Sequence, residues 1–317
     1  MKKILIILFF PIICYGQSLT TKVEKLFLER QYLEAENMLA EVVRSSPEDL
    51  IAIELLGDAY GHQLKWDGAI DCYEKLVKRD PDNADFHYKH GGALGMKALS
   101  INKIRALGLI DDIKRAFHSS ANLDPMHIDT RWALIELYIQ LPGIIGGSKS
   151  KALKYAEELQ TISMVDGYLA KGYVYEYDNE PELAEMFYKR AIKEGGSITC
   201  YEKLSSFYEN QKLPELAIGI IETSYRKHNR NALHYQIGKV SADYNVQLDK
   251  GERCLKAFIE NHTAKDGVPV EWAYYRLAQI SKHRQQKEEA LRWINKALEI
   301  RSDFRQAVRE RKAIQQL

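Results

Sequence analysis

The chain has 317 residues, of which 45% are hydrophobic and 28% charged, with a formal net charge of +1. That balance supplies enough apolar material for a core and excludes a bulk electrostatic pull toward nucleic acid or an anionic membrane. Helix formers dominate, only eight prolines occur, and no strand-like alternation persists, which excludes disordered, fibrous and β-rich classes and leaves an all-α chain.

Residues 1–16 read as a leader rather than as part of the fold. Lys2 and Lys3 form a positive start, 4–13 is an uncharged apolar run, and Cys14-Tyr15-Gly16 offers small residues before Gln17. The run is about half the ~20 residues a membrane span needs. A secretory signal peptide cleaved before Gln17 is expected; a disordered or membrane-tethering start is the alternative. Lipidation at Cys14 is disfavoured because Ile13 stands where a small residue is wanted. With Lys2 and Lys3 removed, 43 basic residues face 44 acidic ones, so the mature chain is essentially neutral. Its cysteines, Cys72, Cys200 and Cys254, lie far apart and form no CxxC or Cys/His cluster, so buried free thiols are expected and no structural zinc.

The clearest pattern lies at 50–82. Ile53, Leu56 and Tyr60 recur at three- and four-residue steps with small Gly57 inside the stripe, and Ala69, Tyr73 and Leu76 repeat the pattern before Pro81 ends it. Leu56, Gly57, Tyr60, Ala69, Tyr73 and Pro81 stand at the spacing of the tetratricopeptide repeat, so the stretch resembles that family. The resemblance extends both ways. Ala35, Leu39, Val42 and Pro47 lie one repeat earlier, with Val23 where a small residue would stand. Phe86, Gly91 and Gly92 open a third unit that runs long. Its segment 99–123 is expected to extend the second helix, with Phe117 in the role of Tyr73. Trp132, Leu134, Leu137 and Tyr138 open a fourth. Tyr168, Gly172, Tyr175, Ala184, Tyr188 and Ala191 match position by position, and Tyr201, Leu204, Tyr208 and Ala217 follow. A looser unit at His234, Ile237, Gly238, Leu255 and Phe258 precedes a clean one at Tyr274, Leu277, Ala278, Ala290, Ile294 and Ala297. The resemblance implies a right-handed α-solenoid of about eight helix-turn-helix repeats over residues 17–317. Their approximate bounds are 18–49, 50–83, 84–127, 128–164, 165–197, 198–230, 231–270 and 271–302, with a capping helix at 303–317.

Two local features invite chemistry. His87 and His90 share a helical face, but both fall at packing positions and read as hydrogen-bonded core histidines rather than metal ligands. The turn Gly143, Ile144, Ile145, Gly146, Gly147, Ser148 is about five residues longer than the repeat needs. It is a near miss to a phosphate-binding loop, with Ser148 where a glycine belongs and a helix where a strand should precede. Either a structural turn with Ser148 as helix N-cap or a partner-contacting loop is expected. No nucleophile elbow, metalloprotease helix or dinucleotide fingerprint occurs, so neither an enzyme nor a cofactor is expected.

In the family the first helix of each repeat lines a concave surface. Carrying over the inward position implies Glu54, Tyr88, Trp132, Leu169, Glu202, Tyr235 and Tyr275. One turn on come Asp58, Gly92, Glu136, Tyr173, Ser206, Lys239 and Gln279, with Tyr177 and Trp272 beside them. The aromatic and aliphatic members, Tyr88, Trp132, Leu169, Tyr173, Tyr177, Tyr235, Trp272 and Tyr275, form the expected partner-binding groove. Some members hold a chaperone's acidic tail with lysines and asparagines there. Here those positions are mostly aromatic or acidic, with Lys239 and Lys282 the chief cations, which implies a basic or neutral segment instead. The expected function is an exported, periplasmic or secreted scaffold for a protein or peptide partner, with no role in nucleic-acid binding. The alternative is a solute- or peptide-carrying subunit of a transport system, prompted by the glycine-rich turn before Lys151.

Overall fold

The computed structural model describes residues 10–317, with side chains from Leu19 onward. The leader expected at 1–16 therefore lies outside the described residues over 1–9 and, in its side chains, throughout. Among the described residues there are eighteen α-helices and no strand, and no helix is long and apolar enough to cross a membrane. They form an α-solenoid of helix-turn-helix repeats divided into two compact units, the first ending at Ile162 and the second spanning Ser163–Leu317.

The first unit contains α1 (Phe10–Leu28), α2 (Tyr32–Ser45), α3 (Leu50–His62), α4 (Trp66–Arg79), α5 (Ala84–Ser100), the short α6 (Lys103–Leu107), α7 (Ile110–Leu123), α8 (Ile128–Gln140) and α9 (Lys149–Ile162). Side-chain caps start α3 and α5: Asp49 accepts from the Ala52 amide at 3.0 Å and Asn83 from that of Phe86 at 3.3 Å. Burial differs between the two helices of a hairpin. In α4 a single stripe of Ala69, Cys72, Tyr73 and Leu76 is buried, whereas α3 buries Ala52, Ile53, Leu56, Gly57 and Ala59 because it is packed by α4 and by the preceding hairpin. The two helices approach closely where a small residue meets a ring. A Cβ on Gly57 would lie 2.6 Å from Tyr73, and one on Gly91 would lie 2.8 Å from Phe117.

The third hairpin departs from expectation. The first helix, not the second, is lengthened: α5 runs to Ser100, Ile101 leaves helical geometry, and α6 follows. Asn102 causes the restart, since its side chain accepts from the Arg105 amide at 3.0 Å and caps α6 instead of continuing a helix. Phe117 on α7 does take the place of Tyr73.

The second unit contains α10 (Met164–Tyr177), α11 (Pro181–Glu194), α12 (Ile198–Asn210), α13 (Pro214–His228), α14 (Ala232–Tyr244), α15 (Leu248–Glu260), α16 (Val270–His283), α17 (Lys287–Ile300) and α18 (Arg305–Gln315). Pro181 and Pro214 start second helices, where a missing amide costs nothing. A Cβ on Gly172 would meet Tyr188 at 2.6 Å, and one on Gly238 would meet Leu255 at 2.2 Å. Beyond α17, Phe304 and Ile314 are fully buried, so α18 covers the last hairpin as a cap.

The standard turn within a hairpin has one geometry. Arg30, Leu64, Asn179, Lys212 and Gln285 all take φ of 58–60°. The residue after each donates back to a carbonyl near the end of the first helix, as Lys65 does to Tyr60 at 2.9 Å and Leu213 to Tyr208 at 2.8 Å. All three described cysteines are free; Cys72 and Cys200 are buried, but Cys254 is only half-buried.

Candidate functional site

First helices α12 and α14 stand side by side and leave a cleft of about 460 Å³ between them. Thr199, Glu202, Lys203, Ser206 and Glu209 line it from α12, and Tyr235, Gln236 and Lys239 from α14; Val268 closes it from the connection before α16. Glu202, Ser206 and Glu209 recur at helical steps and so share one face, with Ser206 small enough to leave the opening. Gln236 Nε2 donates to Glu202 at 3.2 Å, and the Lys239 ammonium pairs with Glu209 at 2.8 Å and Asp243 at 3.4 Å. Burial works against the charge on Lys239, yet Glu209 and Asp243 outweigh it and raise its pKa. The polar ladder continues along α16, where Arg276 pairs with Asp243 and donates to Gln279 at 2.8 Å, and Gln279 donates to Tyr275 at 3.1 Å. Two carboxylates, Glu202 and Glu209, face two cations, Lys203 and Lys239, so the cleft wall is polar and carries no net charge.

Glu202, Ser206, Tyr235 and Lys239, all expected to face inward, thus come together here. Glu209 was missed, although it lies two turns beyond Glu202 on the same face. Nothing in the sequence pointed to Val268, which a long connection brings in.

The expected aromatic groove is corrected in several places. Leu169 is only 5% exposed and Tyr235 8%, so Leu169 belongs to the core and Tyr235 packs its ring on Phe258 with centroids 5.5 Å apart. Trp272 and Tyr275 are half-buried and lean on Phe304, at 4.5 and 5.5 Å, so they mostly seat the cap. Tyr173 is half-buried beside Tyr177, which is exposed. In the first unit Tyr88 is half-buried against His127 at 5.2 Å, and Trp132 is half-buried on α8.

In the first unit the inward carboxylates are held by the next repeat. Lys89 pairs with Glu54 at 2.7 Å and with Asp58 at 2.9 Å, and the Tyr73 hydroxyl donates to Asp58 at 2.7 Å. Burial and the Asp58 carboxylate push the Tyr73 phenol far up, so it stays a donor. Tyr188 and Glu176 repeat this pair in the second unit at 2.7 Å.

The glycine-rich loop holds no anion cradle. Its Gly143–Ile145 turn is a 3-10 helix, and the amides of Gly146, Gly147 and Ser148 donate to the carbonyls of Gly143, Pro142 and Tyr138. Gly147 sits so tightly that a Cβ would lie 1.7 Å from the Leu141 oxygen. Ser148 caps α9, accepting from the Lys151 amide at 3.3 Å. His87 donates to the Pro81 carbonyl at 2.8 Å, and burial lowers the pKa of half-buried His90. Among the described residues no group of three or more His, Cys, Asp or Glu side chains is placed to hold a metal.

Comparison with known proteins places this architecture. A family profile described as TPR repeat matches residues 52–97, and one described as tetratricopeptide repeat matches 273–304. A tetratricopeptide repeat protein from Parabacteroides merdae aligns over 95% of this chain and 98% of its own, at 14% identity and a TM-score of 0.51. YrrB, a TPR protein with an unusual peptide-binding site, aligns over 62% of this chain and 98% of its own, at 17% identity and a TM-score of 0.41. No curated protein sequence matches significantly. Repeats of this class generally serve as non-catalytic scaffolds for protein–protein interaction. The hairpins, their small-to-ring contacts and both profile matches show that this chain carries tetratricopeptide repeats, at residues 52–97 and 273–304, within an α-solenoid of that architecture.

Proposed function

We propose that this chain is a non-catalytic, exported scaffold that holds an extended segment of a protein partner in the cleft between α12 and α14. The observation that carries the reading is the cleft itself, a preformed space of about 460 Å³ on the first helices of two consecutive repeats. Thr199, Ser206 and Gln236 offer hydroxyl and amide groups to an extended backbone, and Glu202, which is met by the neutral Gln236 amide and not by a cation, suits a basic or neutral segment. The leader read at residues 1–16 supports export.

The test begins with a photo-crosslinking residue at Ser206 in the native host, to recover the partner. A peptide from the cross-linked segment is then titrated against wild type, Ser206→Trp and Glu202→Lys, after circular dichroism confirms that both variants fold. Filling the cleft or reversing the charge at Glu202 is expected to weaken binding about tenfold or more. Wild-type affinity in Ser206→Trp would reject the cleft as the binding site.

A further inference from the structure

In the first unit, the turns inside successive hairpins are joined along one edge. Gln63 Nε2 donates to the Tyr32 carbonyl at 3.3 Å and Lys65 pairs with Glu36 at 2.5 Å, tying the second turn to the first. Lys97 pairs with Asp67, tying the third hairpin to the second. Lys114 Nζ donates to the Ile145 carbonyl at 2.9 Å, tying the fourth turn to the third. The last three of these turns each carry aliphatic side chains in water: Leu64 is 68% exposed, Leu99 75%, Ile104 83% and Ile144 94%.

The fold makes no use of them. Helix α6 contributes no buried residue at all. Leu64 takes a φ of +60°, where leucine is strained and glycine or asparagine fits better. Ile144 tops a loop whose shape is held by its own backbone and by Lys114. At the second turn charge is balanced, Lys65 being paired with Glu36 and Asp67 with Lys97. Residues 99–109 and 141–147 contain no acidic side chain, and Lys103 and Arg105 flank Ile104; beyond them Lys151 is taken up over the Tyr138 ring at 5.0 Å. Asp111 and Asp112 follow at the start of α7, where Asp112 is paired with Arg115 at 2.9 Å. Single aliphatic tips flanked by lysine and arginine have the chemistry of the lipid–water boundary. The apolar ends enter the acyl layer and the cations meet phosphate headgroups.

We propose that this edge of the first unit, formed by Leu64, residues 99–109 and residues 141–147, docks the protein on an anionic phospholipid surface. No spanning helix is involved; the contact is peripheral and reversible.

The experiment compares phosphatidylcholine vesicles with and without phosphatidylglycerol, using the full chain. Co-sedimentation is expected with the anionic vesicles, and the double variant Ile104→Ser, Ile144→Ser is expected to bind about tenfold or more weakly. Both positions are exposed, so folding should be unaffected. Amide exchange gives a local readout that the apolar residues 1–16 cannot mimic: 99–109 and 141–147 should exchange more slowly only when phosphatidylglycerol is present. Unchanged exchange there on vesicle addition, or equal binding by the double variant, would overturn the proposal. Slowing that depends on protein concentration without lipid would also overturn it, assigning the edge to contact between two copies.

Discussion

Adjacent Gly91 and Gly92 show how one position can be essential and its neighbour free. A Cβ on Gly91 would press on Phe117 and Ala116 at 2.8 and 3.1 Å, whereas one on Gly92 would meet nothing within 4 Å. Gly91→Ala should therefore cost ~1–3 kcal/mol by overpacking, while Gly92→Ala should gain about 0.5–1 kcal/mol by removing glycine's backbone freedom within a helix. Urea denaturation of the two variants measures both; equal effects would contradict the register assigned to the third hairpin. Gly57 and Gly172 were legible as close-approach sites in the sequence because each stands a fixed number of residues before its ring partner. The left-handed residues at the turns were not legible. Arg30, Leu64, Lys212 and Gln285 carry no glycine-like signature, and only the backbone shows their φ.

At the scale of the element, the join between the third and fourth hairpins rests on an arginine that sequence alone would send to solvent. Arg131 is buried and donates to the carbonyls of Asp124 at 3.0 Å and Ala121 at 3.3 Å, at the end of α7 where carbonyls lack helical partners. Its charge also suits the negative end of the helix dipole. Arg131→Met keeps much of the volume but leaves those carbonyls unpaired, so a loss of about 1–3 kcal/mol is expected. The shift in urea midpoint would show it, and an unchanged midpoint would mean that water replaces the guanidinium. Arginine on an amphipathic helix normally reads as a solvated face, which is why this clamp escaped the sequence reading. The extension of α5 escaped for a related reason: apolar periodicity continues through 99–109, and the competing cap at Asn102 is what first breaks the helix, before a second break at Gly108.

For the whole molecule, three histidines share one direction. Burial lowers the pKa of His90, His118 and His234, and Lys151 and Lys114 lower that of His118 further. Their folded values lie below the unfolded value of about 6.5, so the unfolded chain binds more protons as the medium acidifies. Their contribution is present above the unfolded pKa and is lost as pH falls through the folded values. Urea midpoints should therefore drop from neutral pH toward pH ~5.5, and a midpoint that stays level or rises over that range would contradict the burial argument. The near-zero net charge gives no hint of this, nor of the basic pair Lys103 and Arg105 on the edge of the first unit, because a total averages over surfaces that act separately.

The repeat architecture was determined by the sequence alone, because its code is local. A small residue, a ring and a helix stop at set offsets specify one hairpin, and the period of about 34 residues repeats it. The inward positions Glu202, Ser206, Tyr235 and Lys239 followed from the same counting. What only the tertiary structure decided is which inward side chains remain available. Tyr235 is taken up by Phe258, Trp272 and Tyr275 by Phe304, and Lys239 by Glu209 and Asp243. The physical reason is that exposure depends on atoms contributed by the neighbouring helix or repeat, often some thirty residues away, which no spacing within one hairpin encodes.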